Sequence, residues 1–173
     1  MILAHSSTQA AQILCARYRS ENGFDGAQVN RFSRIVVPAG RIDSIQMPRQ
    51  LGDIVRNELE QSKIRTPIIL NKTTGYLMFI TNAAPAGDPR PVHMLNIGRE
   101  AESGVPVSLR RDAGLYRNAA IRTVHGVMVP LPGPDDEIRS WLEEPVGRRR
   151  ANFDTVAEIT VSAGDKLAGR RHG

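Results

Sequence analysis

Asp43 is the residue whose setting most favours chemistry on a phosphate group. It lies in the segment "RIDSIQMP" (Arg41 to Pro48), where polar and apolar residues alternate, so the pattern predicts a β-strand that carries one carboxylate. Two-metal transfer of a nucleotidyl group needs carboxylates that converge on the same cations. We consider Asp112 as the second acid, but it follows two arginines and no strand pattern pairs it with Asp43.

Other catalytic and metal-binding patterns are absent from the sequence. The four histidines are far apart, and no group of His, Cys, Asp and Glu has the spacing of metal ligands. There is no GxxxxGK[ST] loop, no GxGxxG after a strand and no GxSxG. The single cysteine, Cys15, falls in a helical pattern, and we interpret it as a buried thiol. We therefore assign no catalytic residue, no metal site and no cofactor, and we favour a protein that is not an enzyme.

Arginines and one tyrosine are the main candidates for a binding surface. Arg110 and Arg111 precede the loop "DAGLY" (Asp112 to Tyr116), and Arg117 follows it. An arginine beside an exposed aromatic side chain is typical of surfaces that track a strand and stack its bases. A second basic group lies in "GRRR" near the C-terminus. Solvated surface arginine is the alternative that the sequence leaves open for both groups. The candidate nucleic-acid-binding residues are Arg110, Arg111, Tyr116, Arg117, Arg122, Arg148, Arg149 and Arg150.

Charge and composition predict one folded domain with a basic end. Apolar residues make up 40% of the 173 residues, which is enough for a core, and the net charge is +5. We expect a single domain over residues 1–145 and a basic tail over 146–173, for which partial disorder and one further helix or strand are both open. No apolar run reaches the roughly 20 residues that span a bilayer, and no secretory signal is visible, so we expect a cytoplasmic protein without membrane contact.

The elements that position these residues follow from periodicity. Helices are predicted over residues 6–21, with N-caps among Ser6, Ser7 and Thr8, and over Pro48 to Lys63. A hairpin is predicted over Ile68 to Thr81, with Gly75 in or just after the turn. Residues 138–142 fit a helix or a strand equally. Further extended segments are expected at 31–40, 92–98, 104–114 and 119–132. This order predicts an α+β fold, with a mostly antiparallel sheet and two or three packed helices.

The order of segments between Arg31 and Pro145 resembles a known family. The runs "RIDSIQMPRQLGDIVRNEL", "TPIILNKTTGYLMFITNAAP", "VPVSLRRDAGLYRNAAIRTVHGVMVPLP" and "EIRSWLEEP" resemble the small actinobacterial proteins grouped with the bifunctional DNA primase/polymerase domains. The resemblance implies a primase/polymerase-like fold. Active members carry an Asp-x-Asp strand, a histidine in a hairpin and a further aspartate in a later strand, which together bind metal and nucleotide phosphates.

This chain departs from the family pattern at each of those positions. Asp43 matches one aspartate of the first motif, but Ile45 stands where the second would be. The hairpin "TTGYLMF" has Tyr76 or Leu77, depending on register, in place of the histidine. Asp112 is the nearest match to the third motif. The resemblance therefore implies a degenerate cleft formed by Asp43 and Tyr76 or Leu77, without a metal, and it favours a strand at Ile138 to Leu142.

The resemblance also implies how these elements pack. The strand with Asp43 and the hairpin should pair in one sheet, and the helix Pro48 to Lys63 should cross a face of that sheet through the apolar stripe Leu51, Ile54, Val55 and Leu59. One of the two hairpin residues should share a face of the sheet with Asp43, and its neighbour should enter the core.

Three functions remain open on the sequence. The first is a non-catalytic primase/polymerase-like domain that binds single-stranded nucleic acid or nucleotide weakly. The second is a regulatory or scaffold domain that binds a protein partner through its basic tail. The third is an active nucleotidyltransferase that uses Asp43 and Asp112, which requires both acids in one cleft. The sequence does not predict the oligomeric state.

Overall fold

The structure, a computed structural model, describes residues 2–85, 107–123 and 127–170. Within these ranges the chain has the predicted α+β fold, with four helices rather than two or three, and two antiparallel sheets. The helices are α1 (Ile2–Ser20), α2 (Arg49–Gln61), α3 (Val107–Arg117) and α4 (Phe153–Arg170). The strands are β1 (Gln28–Val29), β2 (Ile35–Pro38), β3 (Ile42–Met47), β4 (Ile68–Asn71), β5 (Leu77–Asn82), β6 (Ile121–Arg122), β7 (Met128–Leu131) and β8 (Arg139–Glu143).

A five-stranded sheet with the order β6-β3-β5-β4-β8 forms the centre of the fold. Side chains alternate between its two faces, so each face has its own apolar cluster. One face carries Ile45, Met47, Leu77 and Phe79, which pack against residues of α2 and α4. The other face carries Ile42, Ile69 and Ile80, which pack against α1 and a second sheet with the order β1-β2-β7. The described residues therefore form three layers, with the large sheet in the middle.

Helix α2 crosses the sheet through the apolar stripe that its sequence predicts. Leu51, Val55 and Leu59 are buried in the cluster, and Ile54 is partly buried against it. Gly52 lies so close to β5 that a Cβ atom there would be 2.8 Å from Leu77 Cδ1. The predicted packing of α2 is thus confirmed, and the missing side chain at Gly52 permits the close approach.

The start of α1 differs from the prediction. The helix begins at Ile2 rather than after the Ser-Ser-Thr stretch, so these residues are not N-caps. The Ser7 hydroxyl instead donates to Asp135 Oδ2 over 2.8 Å, and Thr8 Oγ1 lies 2.8 Å from Ser33 Oγ. Serine and threonine are typical of helix N-caps, but here the hydroxyls of Ser7 and Thr8 bond to side chains that are distant in sequence. Cys15 is buried as predicted, and burial raises the pKa of its thiol.

The segment expected to be extended at residues 104–114 is a helix wherever the structure describes it. Helix α3 begins at Val107, and Leu115 in its second half is buried in the cluster shared with α2 and α4. A Cβ atom at Gly114 would lie 3.0 Å from a methyl of Val161 on α4. The packing of α3 against α4 favours the helix over the extended conformation that was predicted.

The described part of the C-terminal region contains a helix that packs into the core. Phe153, Val156, Ala157 and Ala163 of α4 are buried in the cluster below the large sheet. Their spacing places them on one side of the helix. Of the alternatives for residues 146–173, the further helix is the one that the structure contains over Phe153–Arg170.

The remaining predictions are confirmed in part. Strands β4 and β5 form the predicted hairpin, with Gly75 at φ +73°, and β8 includes four of the five residues at 138–142, since it begins at Arg139. The stretch at 119–132 is divided, because β6 joins the large sheet and β7 the small one. The strand expected at 92–98 lies outside the described residues. None of the helices in the described ranges has the length and apolar composition needed to cross a membrane.

Candidate nucleic-acid interface

Asp43 is completely buried and is held by hydrogen bonds within the fold. Its Oδ2 accepts a hydrogen bond of 2.6 Å from the amide of Ala84, which follows β5, and the Thr123 hydroxyl lies 3.1 Å from its Oδ1. The same Thr123 oxygen accepts a bond of 2.9 Å from the Ser44 amide. The carboxylate therefore connects β3 to the segments that leave β5 and β6. This arrangement stabilises the end of the sheet.

Leu77 shares the face of the sheet on which Asp43 lies, as the resemblance implies for one of the two hairpin residues. In the β3–β5 register Asp43 is opposite Thr81 and Met47 is opposite Leu77, so all four side chains point to one side. Leu77 is fully buried, whereas Tyr76 is half-buried, so the expectation that the other residue enters the core is wrong. Four residues of strand, about 13 Å, separate the two positions. Asp43 and Leu77 therefore do not line one cleft.

Asp112 and Arg122 form a buried ion pair. Arg122 Nη1 donates to both carboxylate oxygens of Asp112, over 2.9 and 3.1 Å, and the side chains are only 4% and 2% exposed. The guanidinium carbon lies 4.2 Å from the centre of the Phe153 ring. Asp112 is on a helix and not on the later strand that the resemblance implies. The candidate residue Arg122 is thus a core residue that a nucleic acid cannot reach, which corrects its assignment to the binding surface.

Tyr116 and Arg117 are exposed at the end of α3, but the structure does not bring them to the C-terminal arginines. Next to them, Asn118 donates to Asp165 Oδ1 over 3.2 Å, near the C-terminal end of α4. The arginines at 148–150 precede the opposite end of α4, so about 18 Å of helix separates the two groups. Arg110 and Arg111 lie in α3, and the structure does not describe their side chains.

Five basic residues from two distant segments line one groove. Lys63 and Arg65 follow α2, Arg148, Arg149 and Arg150 follow β8, and these five together with Ile64 line a concave space of about 390 Å³. No acidic residue is among the groove residues (Lys63, Ile64, Arg65, Arg148, Arg149 and Arg150). We call this space the basic groove. The sequence predicted three of its five cations.

Thr66 holds the two segments of the basic groove together. Its hydroxyl accepts a hydrogen bond of 3.2 Å from the amide of Ala151 and donates to the Ile80 carbonyl of β5. Thr81 and Ala151 also form an isolated parallel bridge. Because Thr66 follows Arg65 directly and Ala151 follows Arg150, these bonds fix the distance between the two basic segments.

The turn after β8 is fixed by Gly147 and by Arg150. Gly147 has φ +55°, a conformation that glycine adopts without strain. Arg150 donates from Nη1 to the Asn22 carbonyl over 2.8 Å and from Nη2 to the Gly23 carbonyl over 3.1 Å. Partial burial of this guanidinium lowers its pKa from the ordinary value; the nearby Asp25 acts to raise the pKa, and Arg148 acts to lower it. Arg150 therefore positions the turn, while its neighbours extend into solvent.

The four remaining cations of the basic groove are available to a ligand. Lys63, Arg65, Arg148 and Arg149 are exposed. Within the described ranges, none of them has an ion pair or a side-chain hydrogen bond. Four cations without an ion pair among the described residues, placed around a concave surface, give a positive potential that attracts anions.

Lys63 and Arg65 were missed because nothing in the sequence connects them to the C-terminal arginines. More than 80 residues separate the two segments, and only the sheet order brings β4 and β8 side by side. The sequence does contain a local signal for the first of these two segments. A lysine at the end of a strongly predicted helix and an arginine two residues later mark a basic helix terminus.

The described part of the chain contains no group of three or more His, Cys, Asp and Glu side chains that could hold a metal ion.

Comparison of this chain with models of known protein families, with curated proteins and with solved structures finds no match.

Proposed function

We propose that this protein binds the phosphate backbone of single-stranded nucleic acid, weakly and without catalysis, through the basic groove. The observation that carries the proposal is the convergence of Lys63, Arg65, Arg148 and Arg149 on one concave surface without an acidic residue. Each cation that contacts a phosphate releases condensed counterions, which is the main source of affinity in binding of this kind. Dissociation constants of about 10⁻⁶–10⁻⁴ M at physiological salt are typical of such non-specific binding.

The shape of the surface favours a single strand over a duplex. Duplex DNA is usually read by convex elements, such as a helix that enters the major groove. A concave basic groove instead tracks a single backbone, as in other proteins that bind single strands. The groove contains no aromatic residue, so base stacking contributes little there and sequence preference from the groove itself is small.

The primase/polymerase-like character of the domain stays part of this proposal. Pairing of β3 with the β4–β5 hairpin beneath α2 supports it, since the resemblance implies that arrangement. The helical position of Asp112 and its ion pair with Arg122 do not match the family pattern. The proposed binding site is separate from the degenerate cleft that the resemblance implies.

Fluorescence anisotropy with a labelled oligonucleotide of about eight nucleotides tests the proposal. If the four free cations contact phosphates, log Kobs should fall with log salt concentration with a slope of about −3. The double variant Arg65→Glu/Arg149→Glu should bind at least about tenfold more weakly at low salt, with a shallower slope. A duplex of the same length should bind more weakly than the single strand.

Arg34→Glu/Arg41→Glu is the matched control for this experiment, because it changes the net charge by as much as the double groove variant does. Arg34 and Arg41 are exposed, have no ion pair among the described residues and do not line the groove, so their reversal should change the affinity far less than the groove reversals do. Absence of binding at low salt would contradict the proposal. An equal loss in Arg34→Glu/Arg41→Glu and in the groove variant would show that the net charge and not the groove determines binding. Tighter binding of an acidic peptide than of DNA would favour a protein partner.

A further inference from the structure

A second cavity adjoins the basic groove. It has a volume of about 330 Å³ and shares Lys63, Arg65 and Arg149 with the groove. Pockets for small molecules are usually about 300–1,000 Å³, so this one suits a single planar ring system. Apolar side chains form much of its wall, namely Leu59, Ile64, Pro67, Ile68 and Val146. Val146 is 53% exposed, so an apolar surface is left open to solvent at this cavity.

The cavity differs from the groove in its charge. Glu60, Glu143 and Glu144 line it, whereas the groove has no acid. Glu143 is paired with Arg56. Glu60 and Glu144 are exposed and have no ion pair among the described residues. Two free carboxylates repel phosphate, so an anionic ligand would keep its charge on the groove side and place an uncharged part in the cavity.

We infer that the cavity takes one base of the strand whose phosphates lie on the basic groove, and that it prefers a base with an exocyclic amino group. This inference rests on the proposed function. The apolar wall would cover the face of the ring, and the carboxylate of Glu60 or Glu144 would accept a hydrogen bond from the amino group, as acidic side chains do with cytosine N4. Thymine and uracil present carbonyl oxygens in that position, which a carboxylate repels.

Anisotropy titrations with oligo-dC, oligo-dT and an abasic strand of equal length test the inference at one salt concentration and neutral pH. The wild-type protein should bind oligo-dC about three- to tenfold more tightly than oligo-dT, the size expected for a hydrogen bond to a partly solvated charged group. The abasic strand should bind no more tightly than oligo-dT. In Glu60→Ala/Glu144→Ala the dC-to-dT ratio should fall to about one, while the affinity for oligo-dT is unchanged or higher because repulsion is removed.

Glu137→Ala/Glu158→Ala is the matched control, because both residues are exposed, lack ion pairs among the described residues and lie outside the cavity. It should keep the wild-type ratio. Equal binding of the three strands, with the sensitivity to Arg65→Glu/Arg149→Glu intact, would overturn the base pocket and leave the proposed function standing. A ratio that survives Glu60→Ala/Glu144→Ala would also overturn it. Failure of all three strands to bind would overturn the proposed function and the pocket with it.

Discussion

Asp43, Asp112 and Arg122 are charged residues that the fold buries and pairs with other groups of the chain. Burial of a charge is unfavourable unless it is paired or hydrogen-bonded, and each of these side chains has such partners. Residue type alone made them candidates for a site, since aspartate and arginine are the groups that bind metals and phosphates. Their structural role depends on contacts with residues that are distant in sequence, and the sequence pattern does not show these contacts.

Removing one partner of the Asp112–Arg122 pair should destabilise the protein strongly. We expect Arg122→Met to lower the free energy of unfolding by about 3–5 kcal/mol, because Asp112 is then left as a buried charge without its cation. The double variant Asp112→Leu/Arg122→Met should lose much less than the sum of the single changes. Urea denaturation of the wild type, Asp112→Leu, Arg122→Met and the double variant measures these free energies of unfolding.

The same variants separate a structural role from a binding role for Arg122. The folded double variant should bind single-stranded DNA as tightly as the wild type, because Arg122 is not at the surface. A normal free energy of unfolding combined with a loss of DNA affinity would contradict this assignment and restore Arg122 to the interface.

The end of α2 shows how an element presents a basic residue. The Ile64 amide donates to the Leu59 carbonyl and the Lys63 amide to the Glu60 carbonyl, both over 2.9 Å, which is the Schellman arrangement. Lys63 has φ +56°, where glycine is the usual residue. A lysine at this position is strained by roughly 1 kcal/mol relative to glycine. This strained turn places the positive charge of Lys63 at the basic groove.

A pair of substitutions at Lys63 separates backbone strain from charge. Lys63→Gly should be more stable than Lys63→Ala by about 1 kcal/mol, because only glycine adopts positive φ without strain. Both variants should lose the same DNA affinity, and the magnitude of the salt slope should fall by about 0.7 in each. Thermal denaturation and anisotropy titrations measure the two effects. Different DNA affinities in the two variants would show that the backbone of this turn, and not its charge, determines binding.

Elements were predictable where local pattern and tertiary packing agree. Helix α2 has an apolar stripe at helical spacing, and the hairpin has alternating polar and apolar residues on both sides of a turn. In each case the local sequence favours the same secondary structure that the packing of the fold requires. Helix α3 was missed because Gly114 lowers helix propensity by about 1 kcal/mol. In the fold that glycine permits close contact with Val161 of α4. The compensating contact is distant in sequence and left no local signal.

At the scale of the whole molecule, α4 completes the layer that covers one face of the large sheet. The residues at 153, 156, 157, 160 and 163 are buried, a spacing that was visible in the sequence but was outweighed by the basic character of the region. The basic groove lies where this helix, the edge of the sheet and α2 come together. The position of the groove thus depends on the assembled fold, which explains why only its C-terminal half was predicted.

Truncation after Asn152 should prevent stable folding. Burial of a Val or Phe side chain contributes about 1.5–3 kcal/mol, and α4 supplies Phe153 and Val156 to the core together with two alanines. The sum is comparable with the total stability of a typical domain, about 5–15 kcal/mol. Circular dichroism and limited proteolysis of residues 1–152 give the measurement. Cooperative unfolding of the truncated chain at the wild-type temperature would show that α4 is dispensable.

The most direct test of the central claim is an amide chemical-shift map of the ¹⁵N-labelled protein titrated with a short single-stranded oligonucleotide at low salt. We expect the largest shifts at residues 62–66 and 146–151, which form the basic groove and the bonds that fix it. The amides around Tyr116 and Arg117, and those around Asp43, should move little. Shifts concentrated at the end of α3 or around Asp43 and the hairpin, with the groove unchanged, would contradict the account.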